Sequence, residues 1–275
     1  MFRKKRITSP TIIICYLLLL VFLTVSCQGP TQNLEEVSTT QKDQEWDLLW
    51  VTDSSGSRVA DIYGEFIAQD LGIQVNVLDK WQGGLAAGRL LEALQGETTN
   101  EFDLDGMREY VLEAEVIVIY GNPEQSVSED NPWDFNCGQN LSDCYVNACE
   151  MDTFEKYIED LKEIYSIIFS LREGKPTIIR AIDAYNPRIV SLCTPDGLFD
   201  ECRQCWENYN DAIHQAADEM GVPVANVFDA WNGLDHTEDP NDKGYTLSDK
   251  THPNKAGATV IAELLRDLGY ETIIP

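Results

Sequence analysis

From Trp46 onward the chain alternates between two hydrophobic patterns. Short unbroken apolar runs, as expected of strands buried on both faces, take turns with stretches whose apolar residues recur every three or four positions, as on one face of a helix. Asp47 to Val51 is the first run. Val59, Ile62, Tyr63, Phe66, Ile67 and Leu71 follow at helical spacing, and Gly72 closes that helix. Ile73 to Leu78 reads as a second strand, Glu115 to Tyr120 as a third, Thr177 to Ile182 as a fourth and Val222 to Phe228 as a fifth. Between strands two and three, Leu85, Leu90, Leu91 and Leu94 predict one helix and Leu104, Met107 and Val111 another. A long helix carries Phe154, Tyr157, Ile158, Leu161, Ile164, Tyr165 and Ile168, with Asp152 and Glu155 spaced as a capping box. Trp206, Tyr209, Ile213, Ala216 and Met220 predict the next helix, and Val260, Ile261, Leu264, Leu265 and Leu268 the last. Five strands separated by helices predict an α/β sandwich with a five-stranded parallel sheet, covered on both faces because the crossovers are right-handed.

Two stretches break the rhythm. Gly121 to Glu150 holds three cysteines, two prolines, Trp133 and Phe135; Asp183 to Glu201 holds Cys193. Irregular segments this long are commonly functional. No internal repeat or linker divides residues 46–275, so one folded domain is expected there.

The N-terminus has a different character. Arg3, Lys4, Lys5 and Arg6 precede the apolar run Thr11 to Ser26, which is too short for an ordinary membrane span and suits a signal peptide over residues 1–26. Leu23-Thr-Val-Ser-Cys27 resembles a bacterial lipobox, making Cys27 a candidate lipidation site and membrane attachment point. Residues 27–45 are polar and aperiodic, as in a flexible tether. An exported protein, lipid-anchored at the cell surface or extracellular, is the expectation. Six further cysteines (Cys137, Cys144, Cys149, Cys193, Cys202 and Cys205) are disulfide candidates in that setting, with fifteen pairings open. Cys202-x-x-Cys205 has no second such pair and no His at finger-like spacing, so no metal site and no cofactor is expected.

Charge narrows the partners. The formal net charge is −27, and loss of residues 1–26 leaves 16 basic against 47 acidic side chains, near −31. Such a surface repels phosphate backbones, so nucleic acid is not expected as a partner.

The candidate chemistry gathers where the pattern places strand ends, which is where open parallel sheets bind ligands. Asp249-Lys-Thr-His252-Pro253 puts a carboxylate and an imidazole on one short turn, the pairing of a general base with its orienting acid. Ser54 follows strand one and precedes a helix, exposing its hydroxyl as a nucleophile and its N–H to an anion. Gly83-Gly84 follows strand two, and Gly121-Asn122 follows strand three, where an amide can donate to a developing oxyanion.

With these residues the chain resembles the SGNH (GDSL-type) hydrolases over roughly residues 46–270. Thr52-Asp53-Ser54 matches the first family block with Thr in place of Gly; Gly84 best matches the second. Tyr120-Gly121-Asn122-Pro123 keeps the Asn of the third but displaces its Gly and lacks its Asp; Asp249-x-x-His252-Pro253 matches the last in full. The resemblance implies a flavodoxin-like three-layer α/β/α fold. It also implies a serine esterase with Ser54, His252 and Asp249 as catalytic residues and an oxyanion hole of Ser54, Gly84 and Asn122. Its substrate would be a small-molecule or carbohydrate ester, with deacetylation of carbohydrate as one form.

Ordinary alternatives exist for each residue. Ser54 fits a helix N-cap, and Ser55 and Ser57 are neighbouring nucleophiles. His252 fits the start of the last helix, Asn122-Pro123 a turn, and Asp53 a structural role. Asp235, Glu238, Asp239 and Asp242 fit a solvated face better than a Ca²⁺ loop. His214 and His236 have no partner visible in the sequence. Thr52 and Pro123 keep open a non-catalytic surface protein that binds carbohydrate or another ligand on the same fold.

Overall fold

The computed structural model describes residues 44–97, 104–123, 154–190, 197 and 199–275. Residues 1–43, which hold the expected signal peptide, Cys27 and most of the expected tether, lie outside the described residues, as do Trp133, Cys137, Cys144, Cys149, Asp152 and Cys193; the tether expected to run to residue 45 stops short of it, because Glu45 already begins the first strand. Strands β1 (Glu45–Val51), β2 (Gln74–Asp79), β3 (Val116–Ile119), β4 (Ile178–Ile182) and β5 (Val224–Ala225) form one sheet in the order β2-β1-β3-β4-β5. All four pairings are parallel, in registers such as Leu48 opposite Val77 and Val116, and Val116 opposite Ile178. This is the doubly wound order of flavodoxin-like folds, in which the chain leaves β1 in one direction and later returns to its other side.

Helices α1 (Ala60–Leu71), α2 (Ala87–Gln95), α3 (Met107–Glu113), α4 (Glu155–Leu171), α5 (Phe199–Met220), α6 (Val227–Asn232) and α7 (Lys255–Asp267) complete the layers. Helix α1 packs on α7, while α2, α4 and α5 pack side by side. The central strands carry the cost of this arrangement in their composition. Leu48 to Val51 and Val116 to Ile119 are buried at every position, so both sheet faces are covered and no alternation survives. Gly72 and Gly96 end α1 and α2 in the left-handed conformation, where a side chain would be strained.

Two expectations need correction. The fifth strand is two residues long. Pro223 brings no N–H, the ladder to β4 closes after Asp183 donates to the Ala225 carbonyl, and Val227 already begins α6, whose Phe228 N–H is taken by the Asp183 carboxylate. Helix α4 has Phe154 at its N-cap with no side-chain cap bond, and the Asp152 of the expected capping box lies outside the described residues. Helix α5 starts at Phe199, earlier than expected, so Cys202 and Cys205 are helical; both are buried and disulfide-bonded.

Candidate active site

The nucleophile candidate sits on a turn fixed from beneath. Ser54 is the first residue of a 3₁₀ turn, Ser54–Gly56, directly after β1. The cap of that turn is Asp53, whose carboxylate accepts the Ser55 N–H at 2.6 Å, so Ser54 is left half-buried with another residue doing the capping. Thr52 is buried, and its hydroxyl accepts from Trp50 Nε1 at 2.9 Å and donates to the Asp53 carbonyl at 3.0 Å. Trp50 Nε1 also lies 3.1 Å from the Gly56 carbonyl. A Cβ on Gly56 would stand 2.3 Å from the Thr52 hydroxyl, so only glycine closes this turn. Thr52 therefore uses its hydroxyl inside the turn and leaves Ser54 unobstructed.

The histidine comes from the loop ahead of α7. His252 Nε2 lies 3.1 Å from Ser54 Oγ, and its Nδ1 lies 2.9 Å from Asp249 Oδ2. Asp249 Oδ1 accepts the backbone N–H groups of Thr251 at 2.9 Å and His252 at 3.0 Å. The His252 side chain and these two N–H groups hold the Asp249 carboxyl down at about 2. Between them Lys250 takes a left-handed conformation (φ 58°), uncommon for a non-glycine residue. The loop closes through Leu247 N–H to the His252 carbonyl at 2.8 Å. Helix α7 is capped by Asn254, which accepts from Ala256 and Gly257, so His252 has no capping duty. With a carboxylate on Nδ1, the Nδ1–H tautomer leaves the Nε2 lone pair facing the serine hydroxyl, the arrangement of a general base.

The oxyanion candidates border the same turn. Gln82 N–H donates to the Thr52 carbonyl, and Asn122 N–H donates to the Leu85 carbonyl while its own carbonyl accepts from Ala87. The loop after β2 is thus stitched to the serine turn on one side and to Asn122 on the other. Gly84 lies in that loop, exposed, at φ 71°. The close approach at Asn122 depends on Gly121, where a Cβ would fall 2.8 Å from the Ala87 nitrogen. Tyr157 supports it by donating to the Gly121 carbonyl at 2.7 Å. The buried Asn122 amide hydrogen-bonds Asp53, whose carboxyl burial pushes up to about 6 against the opposing effect of Ser55, Asn122 and His252. An amide NH₂ carries two N–H groups, and one held by Asp53 fixes where the other points.

Ser55 and Ser57 are not brought to His252 in place of Ser54. His214 and His236 do have partners. His214 Nε2 lies 3.0 Å from the buried Asp183 carboxylate, and His236 stands between Glu207 at 3.1 Å and Asp229 at 2.9 Å, stacked on Phe228. They line a cavity of about 400 Å³ that contains none of the Ser54, Asp249 or His252 side chains. Glu238 pairs with Lys243 and Asp239 caps a turn at Asn241, as suits a solvated face. Among the described residues no group of three or more His, Cys, Asp or Glu side chains is arranged to hold a metal ion.

Sequence reasoning passed over Tyr185 and Arg188. Tyr185 donates to the Thr251 carbonyl at 2.8 Å, and Arg188 reaches the Thr251 hydroxyl through Nε and Nη2 at 3.3 and 3.1 Å. Both lie in the irregular stretch after β4, where no period or motif marks a residue.

Residues 141–265 match the model of the GDSL-like lipase/acylhydrolase family, a span that includes Asp249 and His252 and begins after Ser54. No curated protein matches. Among solved structures, the lipase Lip_vut3 from a goat rumen metagenome is similar at 21% identity and TM-score 0.55, over 82% of this chain and 98% of that one. An acetyl xylan esterase variant from Geobacillus stearothermophilus is similar at 18% identity and TM-score 0.54, over 85% and 99%. An α/β hydrolase from the Lake Arreo metagenome follows at 14% and 0.51, over 82% and 96%. At these identities the likeness carries the fold; none of the comparisons favours the non-catalytic reading. The family match over residues 141–265, together with the doubly wound sheet shared with these structures, supports an SGNH (GDSL-type) hydrolase that acts on ester bonds.

Proposed function

We propose that the chain is a serine esterase working through an acyl-enzyme, with Ser54 as nucleophile, His252 as general base and Asp249 as its orienting acid. Ser54 Oγ attacks the ester carbonyl as His252 Nε2 takes its proton. The tetrahedral oxyanion is met by the Ser54 and Gly84 N–H groups and the Asn122 amide, each such donor being worth about 3 kcal/mol in the transition state. His252 returns the proton to the leaving alcohol. Water then attacks the acyl-enzyme with His252 again as base, releasing the acid. The observation that carries the reading is the hydrogen-bond chain from Asp249 Oδ2 through both His252 nitrogens to Ser54 Oγ, across 198 positions of sequence.

For the substrate we favour short acyl esters of carbohydrate. An acetyl xylan esterase is among the similar structures, and Trp81, 42% exposed just beyond β2, offers an aromatic face to a sugar ring. Export and lipid attachment at Cys27 suit a carbohydrate encountered outside the cell. A fluorophosphonate probe tests the mechanism. Wild type is expected to label, and Ser54→Ala to abolish both labelling and p-nitrophenyl acetate hydrolysis. Labelling that persists in the variant would assign the nucleophile elsewhere.

A further inference from the structure

We infer that Tyr185 is a positioning residue that sets the reach between Ser54 and His252, with Arg188 as its partner on the same turn. The inference rests on the Ser54–His252–Asp249 reading above and adds to it what holds the two halves together.

Its hydroxyl donates to the carbonyl of Thr251, the residue before His252. Burial raises the Tyr185 hydroxyl well above its ordinary value, and the side chain of Ser55, the residue after Ser54, opposes that rise. Thr251 is the pivot. Its N–H donates to Asp249 Oδ1, its hydroxyl accepts from Arg188, and the same hydroxyl lies 3.3 Å from the Asp249 carbonyl. Moving Thr251 thus moves the carboxylate and the imidazole together.

The turn needs a holder. The Asp249 and His252 side chains are 47% and 39% exposed, and Lys250 stands in a left-handed conformation. Little packing fixes them. Tyr185, by contrast, is buried, its ring stacked on Trp231 at 3.8 Å. The strap on which it stands is clamped along its length. Asp183 takes Phe228 N–H and His214; Ala184 exchanges two hydrogen bonds with the Asn210 amide; Asn186 exchanges two with the Asn232 amide. The Pro187 carbonyl accepts from Asn241. A rigid strap that ends on a strained, exposed turn transmits its own order to that turn. A displacement of an ångström between nucleophile and base is enough to lower a rate by orders of magnitude.

Tyr185→Phe keeps the ring and its stacking and removes only the hydroxyl. Expected with p-nitrophenyl acetate is a fall in kcat of about tenfold with KM changed less than twofold. Arg188→Met, at an exposed position, is expected to lower kcat about threefold, and Arg188→Lys, which keeps a donor to Thr251, to restore most of it. A double-mutant cycle separates positioning from folding: once Asp249→Asn has removed the orienting contact, Tyr185→Phe is expected to cost less than twofold. The inference fails if Tyr185→Phe matches wild type in kcat. It fails also if its loss persists undiminished in the Asp249→Asn background, or if Arg188→Lys is as slow as Arg188→Met. Ser54→Ala in the same assay keeps the two levels apart: an active Ser54→Ala overturns the triad reading, whereas an inactive one beside a wild-type Tyr185→Phe overturns only the clasp.

Discussion

The two turns that meet at the Ser54–His252 hydrogen bond are built on opposite plans. The serine turn follows the most buried part of the sheet, and its support comes from its own neighbours in sequence: Trp50, Thr52, Asp53 and Gly56 bond to one another within seven residues. The histidine turn is exposed, and beyond the Asp249 contacts and the Leu247–His252 backbone bond its side-chain support comes from Tyr185 and Arg188, more than sixty positions away. On the proposed mechanism, burial makes the first turn a stability element as well as a catalytic one, and exposure makes the second almost purely catalytic. Substitutions on the two sides should therefore separate activity from stability.

The largest expected effect is on the exposed side. Asp249→Asn keeps size and shape but removes the charge that orients the Nδ1–H tautomer. A loss of kcat of about 10⁴-fold is expected, with unfolding free energy within about 0.5 kcal/mol of wild type at pH 8. Steady-state kinetics and urea unfolding on the same preparation check both halves. A large stability loss would break the contrast between the two turns. The depressed carboxyl adds a pH limit. Its folded value of about 2 lies below the ordinary 3.8, so whatever stability the contact contributes is present above 3.8 and is lost as pH falls toward 2.

Asp53→Asn tests the buried side, and the sign runs the other way. Burial lifts the Asp53 carboxyl from 3.8 to about 6, so between those values the folded state holds a proton that the unfolded state has released. Folding stability must then decline as pH rises through that window, by about 3 kcal/mol at most from this group. Asparagine cannot titrate. The difference in unfolding free energy, variant minus wild type, is expected to grow in the variant's favour between pH 4 and pH 8, while activity falls as Asn122 loses its anionic anchor. Parallel stability profiles would remove the carboxylate from the buried set.

Much of this molecule was legible because its signals are local. The unbroken run Val116 to Ile119 could only be a strand covered on both faces, and the Asp249-x-x-His252 spacing builds its contact within one turn. Ser54 was legible as a strand-to-helix position. Contacts made by non-periodic chain were not. Tyr185 lies in a stretch without a period, and its bond to Thr251 is set by tertiary packing. His214 showed no partner because Asp183 lies 31 positions off; His236 bridges Glu207, 29 positions off, to Asp229, seven off, across the irregular end of α6. The fifth strand was read too long because Val227 and Phe228 continue an apolar run whose backbone has already turned helical.

The smallest effect expected is at Thr52, the departure from the family's glycine. Thr52→Val replaces a buried hydroxyl by a methyl of similar size. Trp50 Nε1 keeps the Gly56 carbonyl as acceptor, so it is not stranded, and the Asp53 carbonyl loses one of its donors. The cost should be that of one weakened buried hydrogen-bond pair, about 1–2 kcal/mol in urea unfolding, with kcat lowered less than tenfold. Stability should thus move more than activity, the reverse of Asp249→Asn. A variant of unchanged stability but lost activity would mean that the Thr52 hydroxyl serves the reaction directly, and the serine turn would no longer be the structural half of the pair.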